Sequence, residues 1–80
     1  MKTDIRKLIA QHARLAVDPS TLAEDASLYE AGMTSHATVN LMLALESSYD
    51  VEFPDAMLKR SVFESIKSIS AALSELAPAV

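Results

Sequence analysis

Apolar residues recur at helical spacing over three segments, and the first lies near the N-terminus. Residues 3–16 place apolar side chains three and four positions apart, which predicts an amphipathic helix with Thr3 as its N-cap. The helix should end before Pro19, because proline disfavours helical geometry in the residue that precedes it. The predicted core stripe consists of Ile5, Leu8, Ile9, His12, Leu15 and Ala16.

A second helix is predicted over residues 35–49, a run that contains neither glycine nor proline. Thr34 or Ser35 is its N-cap. Val39 and Leu43 fall about a quarter turn or more away from its core face. The predicted core residues of this helix are Thr38, Leu41, Met42, Leu45 and Tyr49.

The C-terminal part of the chain predicts one short helix and one longer helix. Pro54 and Asp55 suit the first turn of a short third helix that continues through Lys59. Ser65 can cap a final helix that ends at Pro78. The apolar residues that share one face of this final helix are Ile66, Ile69, Leu73 and Leu76.

A long loop joins the first two helices. Residues 17–34 exceed the usual loop length in compact domains, but their apolar residues indicate a packed loop, and Ser27 with Glu30 could cap a single helical turn. The apolar loop residues are Leu22, Leu28, Tyr29 and Met33. The chain therefore predicts an all-α fold: a small four-helix bundle of three main helices and one short helix, in a single domain over residues 1–80.

Composition narrows the class of protein. The chain has no cysteine, which excludes disulfides and thiolate sites, and two histidines far apart make a poor transition-metal site. No apolar run approaches the ~20 residues that span a bilayer, and the N-terminus lacks the apolar stretch of a signal peptide. We therefore expect a soluble, cytoplasmic protein that binds neither a metal nor a membrane.

Charge is unevenly distributed along the chain. Residues 18–55 carry eight acidic side chains and no lysine or arginine, whereas residues 1–17 carry four basic side chains and one acid. A negative surface repels nucleic acid and attracts basic partner proteins, with an attraction that weakens as salt rises. The same charge could equally serve solubility alone.

Gly32 is the only glycine of the chain, and it stands three positions before Ser35. Because glycine reaches positive φ without steric cost, it suits a tight turn that presents Ser35 at the start of the second helix. Free backbone N–H groups and the helix dipole favour a phosphate there by roughly 0.3–1 kcal/mol. Ser35 is either the attachment site of a phosphodiester or an ordinary helix cap.

Val39 and Leu43 lie on the side of the second helix that also carries Glu46 and Asp50, and His36 continues this stripe toward the serine. Apolar side chains rimmed by acids suit a transient docking surface, because they combine desolvation with electrostatic steering. The alternative is that another helix or the long loop covers the two apolar residues.

A catalytic pair of Ser35 and His36 is disfavoured. Neighbouring residues of a helix do not face each other, and no Gly-x-Ser-x-Gly elbow surrounds the serine. We therefore predict that the protein is not an enzyme.

Four stretches of the chain resemble the acyl carrier protein family, also called thiolation domains. They are "LYEAGMTS", "VNLMLALE", "DVEFPD" and "FESI", and the resemblance covers nearly the whole chain. The family signature is Gly-x-Asp-Ser-Leu. The corresponding residues here are Gly32, Met33, Thr34, Ser35 and His36, so glycine and serine are kept and both neighbours of the serine differ.

The resemblance implies that a phosphopantetheinyl transferase esterifies Ser35 with 4′-phosphopantetheine from coenzyme A, and that the thiol of this arm holds a thioester cargo. The residues around the attachment site would be Gly32, Thr34 and His36. The residues of the partner-recognition helix would be Val39, Leu43, Glu46 and Asp50.

The segment "GMTSHATVNLMLALE" is most similar to small bacterial aminoacyl carrier proteins. This implies a stand-alone, monomeric carrier of a small amino acid such as glycine or alanine. A separate ATP-dependent amino acid:carrier protein ligase, or another adenylating enzyme, would load it, and a downstream acceptor enzyme would unload it. The alternatives are an acyl carrier protein of fatty acid, polyketide or nonribosomal peptide synthesis, and an unmodified helical adaptor that binds its partner through Val39 and Leu43.

Overall fold

The computed structural model describes residues 2–76 and the side chains of residues 3–76. This part of the chain contains three α-helices and no strand. The helices are α1 (Lys2–His12), α2 (Ser35–Tyr49) and α3 (Ile66–Leu76), and short 3₁₀ turns lie at Pro19–Thr21 and Asp55–Met57. The predicted all-α fold with three main helices is therefore confirmed.

Each α-helix buries one stripe of apolar side chains in a shared core. The fully buried large residues are Ile5, Ile9, Leu28, Leu41, Leu45, Ile66, Ile69 and Leu73. All of them except Leu28 belong to the predicted helical stripes, and Leu28 belongs to the predicted packed loop. Burial of each such side chain contributes roughly 1.5–3 kcal/mol, so these stripes supply most of the driving force for folding.

The first helix ends earlier than predicted. It stops at His12 rather than at Ala16, and Arg14 has a left-handed backbone conformation with a φ of 51°. A left-handed residue just beyond the last helical turn redirects the chain and ends the helix. The predicted N-cap is also wrong, because α1 already includes Lys2 and Thr3 lies inside it.

The loop between α1 and α2 is packed, as predicted, and polar contacts hold it from two sides. Arg6 of α1 donates through Nη1 to the carbonyl oxygens of Pro19, at 2.6 Å, and Leu22, at 2.8 Å. On the other side, the backbone N–H of Leu28 donates to the carbonyl oxygen of Glu64 at 2.7 Å. Because these bonds satisfy loop carbonyls and amides, the loop can form a fixed wall of the bundle.

The 3₁₀ turn at Pro19–Thr21 was not predicted from the sequence pattern. Asp18 caps it, since its Oδ1 accepts a hydrogen bond from the Ser20 backbone N–H at 3.0 Å. This hydrogen bond favours the charged carboxylate and lowers the pKa of Asp18 below its ordinary value. The predicted turn further along the loop is present, with the Glu30 N–H donating to Ser27 Oγ at 3.2 Å.

The predicted short third helix is present only as a 3₁₀ turn. It spans Asp55–Met57 instead of residues 54–59, and Pro54 precedes it with extended backbone angles rather than beginning it. An edge-to-face contact between Phe53 and Phe63, with ring centroids 5.2 Å apart, holds this segment beside the start of α3. The turn therefore shapes the surface between α2 and α3 without adding a helix to the bundle.

The start of α3 agrees with the prediction. Ser65 Oγ accepts a hydrogen bond from the Ser68 backbone N–H at 3.1 Å, and Ser68 Oγ accepts one from the Ser65 N–H at 3.0 Å. This reciprocal pair satisfies two N–H groups at the helix start, as in a capping box. The predicted stop at Pro78 lies outside the described residues. None of the helices in the described range has the length and apolar character that a bilayer-spanning helix requires.

Candidate functional site

Gly32 forms the turn that leads into α2. Its φ is 111°, in the region that favours glycine, and its N–H donates to the Tyr29 carbonyl oxygen at 3.1 Å. A Cβ at this position would lie 3.2 Å from the backbone nitrogen of Ala16, whose N–H donates to the Ala31 carbonyl oxygen at 3.0 Å. The predicted positive φ is confirmed, and the close approach of two backbone segments is a second reason for glycine.

Thr34 is the N-cap of α2. Its backbone is extended, with φ −85° and ψ 167°, and its Oγ1 accepts a hydrogen bond from the Ala37 N–H at 3.1 Å. Ser35 follows as the first residue of the helix, and it is exposed. Of the two predicted caps, the structure selects Thr34, so the cap does not require the Ser35 hydroxyl.

Replacement of Thr34 by alanine is expected to lower the free energy of unfolding by about 1 kcal/mol, because the Ala37 N–H loses its partner. Thr34→Ser keeps the capping oxygen and should stay within about 0.5 kcal/mol of the parent. Urea denaturation followed by circular dichroism measures both values. Equal losses in the two variants would contradict a capping role for the hydroxyl.

The helix start at Ser35 is suited to an anion. The first turn of α2 contains no acidic residue, and the backbone N–H groups of Ser35 and His36 precede the first intrahelical bonds. The positive end of the helix dipole therefore lies at the exposed serine, without a carboxylate of the same turn to neutralise it. A phosphate on Ser35 Oγ would be stabilised there by roughly 0.3–1 kcal/mol.

Val39 and Leu43 are exposed on α2. They are 50% and 54% accessible, so no other described element covers them. Asp50 is also exposed, and it ends the helix in a left-handed conformation with a φ of 52°. The sequence pattern predicts that Glu46 is an exposed acid at the rim of Val39 and Leu43. Its side chain is instead half-buried, and its Oε2 accepts a hydrogen bond from the Phe53 N–H at 2.9 Å. Glu46 thus shapes the segment after α2 rather than standing free at the surface.

An open groove of about 480 Å³ adjoins the serine. One wall consists of α2 residues at positions i, i+3, i+4 and i+7, which share one helix face. These residues are Ser35, Thr38, Val39 and Met42. The remaining lining residues come from the loop before α2 and the segment before α3, and they are Tyr29, Leu58, Lys59, Arg60 and Phe63. Leu43 does not line the groove, so the structure separates the two apolar residues that the sequence pattern had grouped.

Tyr29 and Arg60 hold the far wall of the groove together. The Arg60 guanidinium carbon lies 3.8 Å from the centroid of the Tyr29 ring, and the Tyr29 hydroxyl donates to the Arg60 carbonyl oxygen at 3.0 Å. Sequence reasoning missed both residues as parts of the site. The available signal was the pair Lys59 and Arg60, two adjacent cations that follow a segment without any lysine or arginine.

Within residues 2–76, no three histidine, cysteine, aspartate or glutamate side chains come together as ligands for a metal ion. The site itself combines an exposed hydroxyl at a helix start, an apolar groove beside it and two cations at the groove.

The chain belongs to the family defined by a phosphopantetheine attachment site, whose sequence model matches residues 3–73. The group that gives this family its name is covalently bound 4′-phosphopantetheine. The chain is 45% identical over 69 residues to an aminoacyl carrier protein of Agrobacterium fabrum. The aligned region covers 86% of this chain and 83% of the relative. It is 30% identical over 82 residues to aminoacyl carrier protein 1 of Bradyrhizobium diazoefficiens, covering 96% and 91% of the two chains.

A solved structure gives the same result for the fold. The protein aligns with a TM-score of 0.90 and 42% identity to a chain in the crystal structure of an engineered Bradyrhizobium japonicum glycine:[carrier protein] ligase complexed with carrier protein from Agrobacterium tumefaciens and AMP. The alignment covers 92% of this chain and 99% of the other. The predicted resemblance to aminoacyl carrier proteins is confirmed.

Proposed function

We propose that this protein is an aminoacyl carrier in which Ser35 is esterified with 4′-phosphopantetheine, and that a separate ATP-dependent ligase loads a small amino acid onto the arm. The observation that carries the proposal is the exposed hydroxyl of Ser35 on the first residue of α2, within the family match over residues 3–73. Glycine is the first candidate cargo, because a similar structure contains a glycine:[carrier protein] ligase with a carrier protein.

The residues around Ser35 fit the group. Ser35 Oγ forms the new phosphodiester bond as the pyrophosphate bond of coenzyme A breaks, and adenosine 3′,5′-bisphosphate leaves while the hydroxyl proton passes to a base of the transferase. The helix start stabilises the phosphate, and Gly32 and Thr34 fix the position of the serine. The bound group supplies a thiol, which this cysteine-free chain lacks.

This protein acts as a carrier rather than a catalyst in the proposal. Ser35 and His36 are adjacent on one helix and point in different directions, so the histidine cannot serve the serine as a base. A phosphopantetheinyl transferase attaches the arm, a ligase or another adenylating enzyme forms the thioester, and a downstream enzyme accepts the amino acid.

Mass spectrometry tests the proposal directly. The purified protein is incubated with coenzyme A, Mg²⁺ and a broad-specificity phosphopantetheinyl transferase, and the intact mass should rise by one phosphopantetheinyl group. Peptide fragmentation should place the group on Ser35 and not on Thr34 or Thr38. Subsequent incubation with glycine, ATP and a glycine:[carrier protein] ligase should add one glycyl residue that hydroxylamine removes. Absence of the first mass gain, or its location on another residue, would overturn the proposal.

Leu43 is proposed as a contact for the loading enzyme, because it is an exposed apolar residue of α2 that lies outside the groove. Leu43→Asp should reduce kcat/KM for aminoacyl thioester formation by about tenfold or more, the size of effect expected for an apolar interface anchor. Attachment of the arm and helix content should remain unchanged. Ala71→Asp, at an exposed position of α3, is the matched control and should load normally. Loss of the fold in Leu43→Asp would instead place Leu43 in the core.

A further inference from the structure

The groove beside Ser35 differs in charge from the rest of the acidic surface. Its charged lining residues are Lys59 and Arg60, both positive, and its other lining residues are apolar or neutral. Residues 18–55, by contrast, carry eight acids without a lysine or arginine. The groove therefore suits a ligand that combines one negative charge with apolar groups.

We propose that this groove holds the half of the phosphopantetheine arm nearest to its phosphate. Lys59 and Arg60 bind the phosphodiester, and Val39 with Leu58 contact the two methyl groups of the pantoate unit that follows it. This proposal rests on the attachment at Ser35 proposed above. It assigns specific residues of this chain to the arm, none of which is needed for the bond itself.

The tether makes this groove the natural place for the arm. Ser35 itself lines the groove, so an arm attached to its oxygen begins inside it. A short tether raises the effective concentration of the arm at the groove to the millimolar range, so weak contacts are sufficient to hold it. The volume of about 480 Å³ is within the range of ligand sites, but the open shape leaves the arm free to swing out to a partner enzyme.

Arg60 is held in position before any arm is attached. Its guanidinium carbon lies over the Tyr29 ring, 3.8 Å from the centroid, and this cation–π contact does not use the N–H donors that would bind phosphate oxygens. Val39 and Leu58 are 50% and 49% exposed, so two large apolar side chains of this groove lack cover in the protein alone. The pantoate methyl groups would provide that cover.

The charge of the groove also disfavours a positively charged cargo inside it. A loaded amino acid has a free α-amino group with an ordinary pKa of about 7.7–8.0, so a large fraction is positively charged at neutral pH. Lys59 and Arg60 repel this ammonium group while they attract the phosphodiester. The groove therefore retains the start of the arm and leaves the aminoacyl thioester in solvent, accessible to the acceptor enzyme.

Nuclear magnetic resonance on labelled protein tests the proposal. In holo protein, confirmed by its mass, we expect nuclear Overhauser effects between the pantoate methyl protons and the methyl groups of Val39 and Leu58. Lys59→Gln, which keeps the Tyr29–Arg60 pair, should weaken these effects by roughly two- to fivefold, as expected for the loss of one exposed charge contact. Lys59→Gln/Arg60→Gln should weaken them further. Lys67→Gln, an exposed position of α3 outside the groove, should leave them unchanged.

The outcomes separate this proposal from the proposed function. Absence of the mass gain would overturn the attachment itself. A complete mass gain without contacts to Val39 or Leu58 would overturn the groove assignment and leave the carrier function standing. Contacts that persist unchanged in Lys59→Gln/Arg60→Gln would overturn the assignment of the two cations to the phosphate.

Discussion

Ser35→Ala is expected to abolish the gain of a phosphopantetheinyl group and, with it, every aminoacyl thioester. The hydroxyl oxygen is the atom that forms the new bond, and alanine offers no replacement for it. The fold should be unaffected, because Ser35 is exposed, the cap belongs to Thr34, and alanine is a good helix former. Intact mass after incubation with coenzyme A and the transferase measures the first effect, and urea denaturation should show a change within about 0.5 kcal/mol.

Ser47→Ala is the matched control for this experiment, because Ser47 is an exposed serine on the same helix. It should accept one full group at the rate of the parent protein. A mass gain that survives in Ser35→Ala and disappears in Ser47→Ala would show that the group is attached to Ser47, near the other end of α2, and would contradict the prediction. A stability loss of several kcal/mol in Ser35→Ala would mean that the hydroxyl has a structural task that the geometry does not show.

The buried stripes of the helices were predictable because they depend on local sequence. Leu41, Leu45 and Leu73 follow the helical period, and that period alone determines which side of a helix is apolar. The position of Ser35 was predictable for a similar reason. A turn residue, a cap and a serine lie within four consecutive residues, so no distant contact is needed to bring them together.

The groove could not be predicted because its walls come from separate segments. Tyr29 and Arg60 are 31 positions apart and meet only after the first loop has packed against the segment before α3. The role of Glu46 is hidden for the same reason, since its partner Phe53 lies seven residues away on irregular backbone. Helix periodicity assigns Glu46 to the surface, whereas the hydrogen bond uses its carboxylate to hold the chain beyond the helix.

The early end of α1 illustrates a different limit. The residue that ends the helix, Arg14, has a left-handed conformation at an exposed position where a glycine or asparagine is the usual signal. Its apolar neighbours continue the helical pattern, so the sequence favours a longer helix. The contact between Ala16 and the turn at Gly32 explains why the helix ends early. The Ala16 N–H donates to the Ala31 carbonyl oxygen, and a straight continuation of the helix would carry Ala16 away from that oxygen.

Gly32→Ala is expected to lower the free energy of unfolding by roughly 2–3 kcal/mol. A φ of 111° costs an alanine about 1–3 kcal/mol, and the new Cβ would lie 3.2 Å from the Ala16 nitrogen, a backbone atom held by its own hydrogen bond. Such a loss is a large part of the stability of a domain of this size. Urea denaturation followed by circular dichroism measures the change.

Two further variants separate crowding by the Ala16 side chain from the backbone effects at Gly32. Glu30→Ala changes an exposed side chain on the same turn and should stay within about 0.5 kcal/mol of the parent. Gly32→Ala/Ala16→Gly removes the Ala16 Cβ, 3.6 Å from the added methyl group, but leaves the backbone nitrogen and the positive φ. It should therefore remain nearly as unstable as Gly32→Ala. Full recovery in the double variant would show that side-chain crowding, rather than the backbone conformation, is the reason for the glycine.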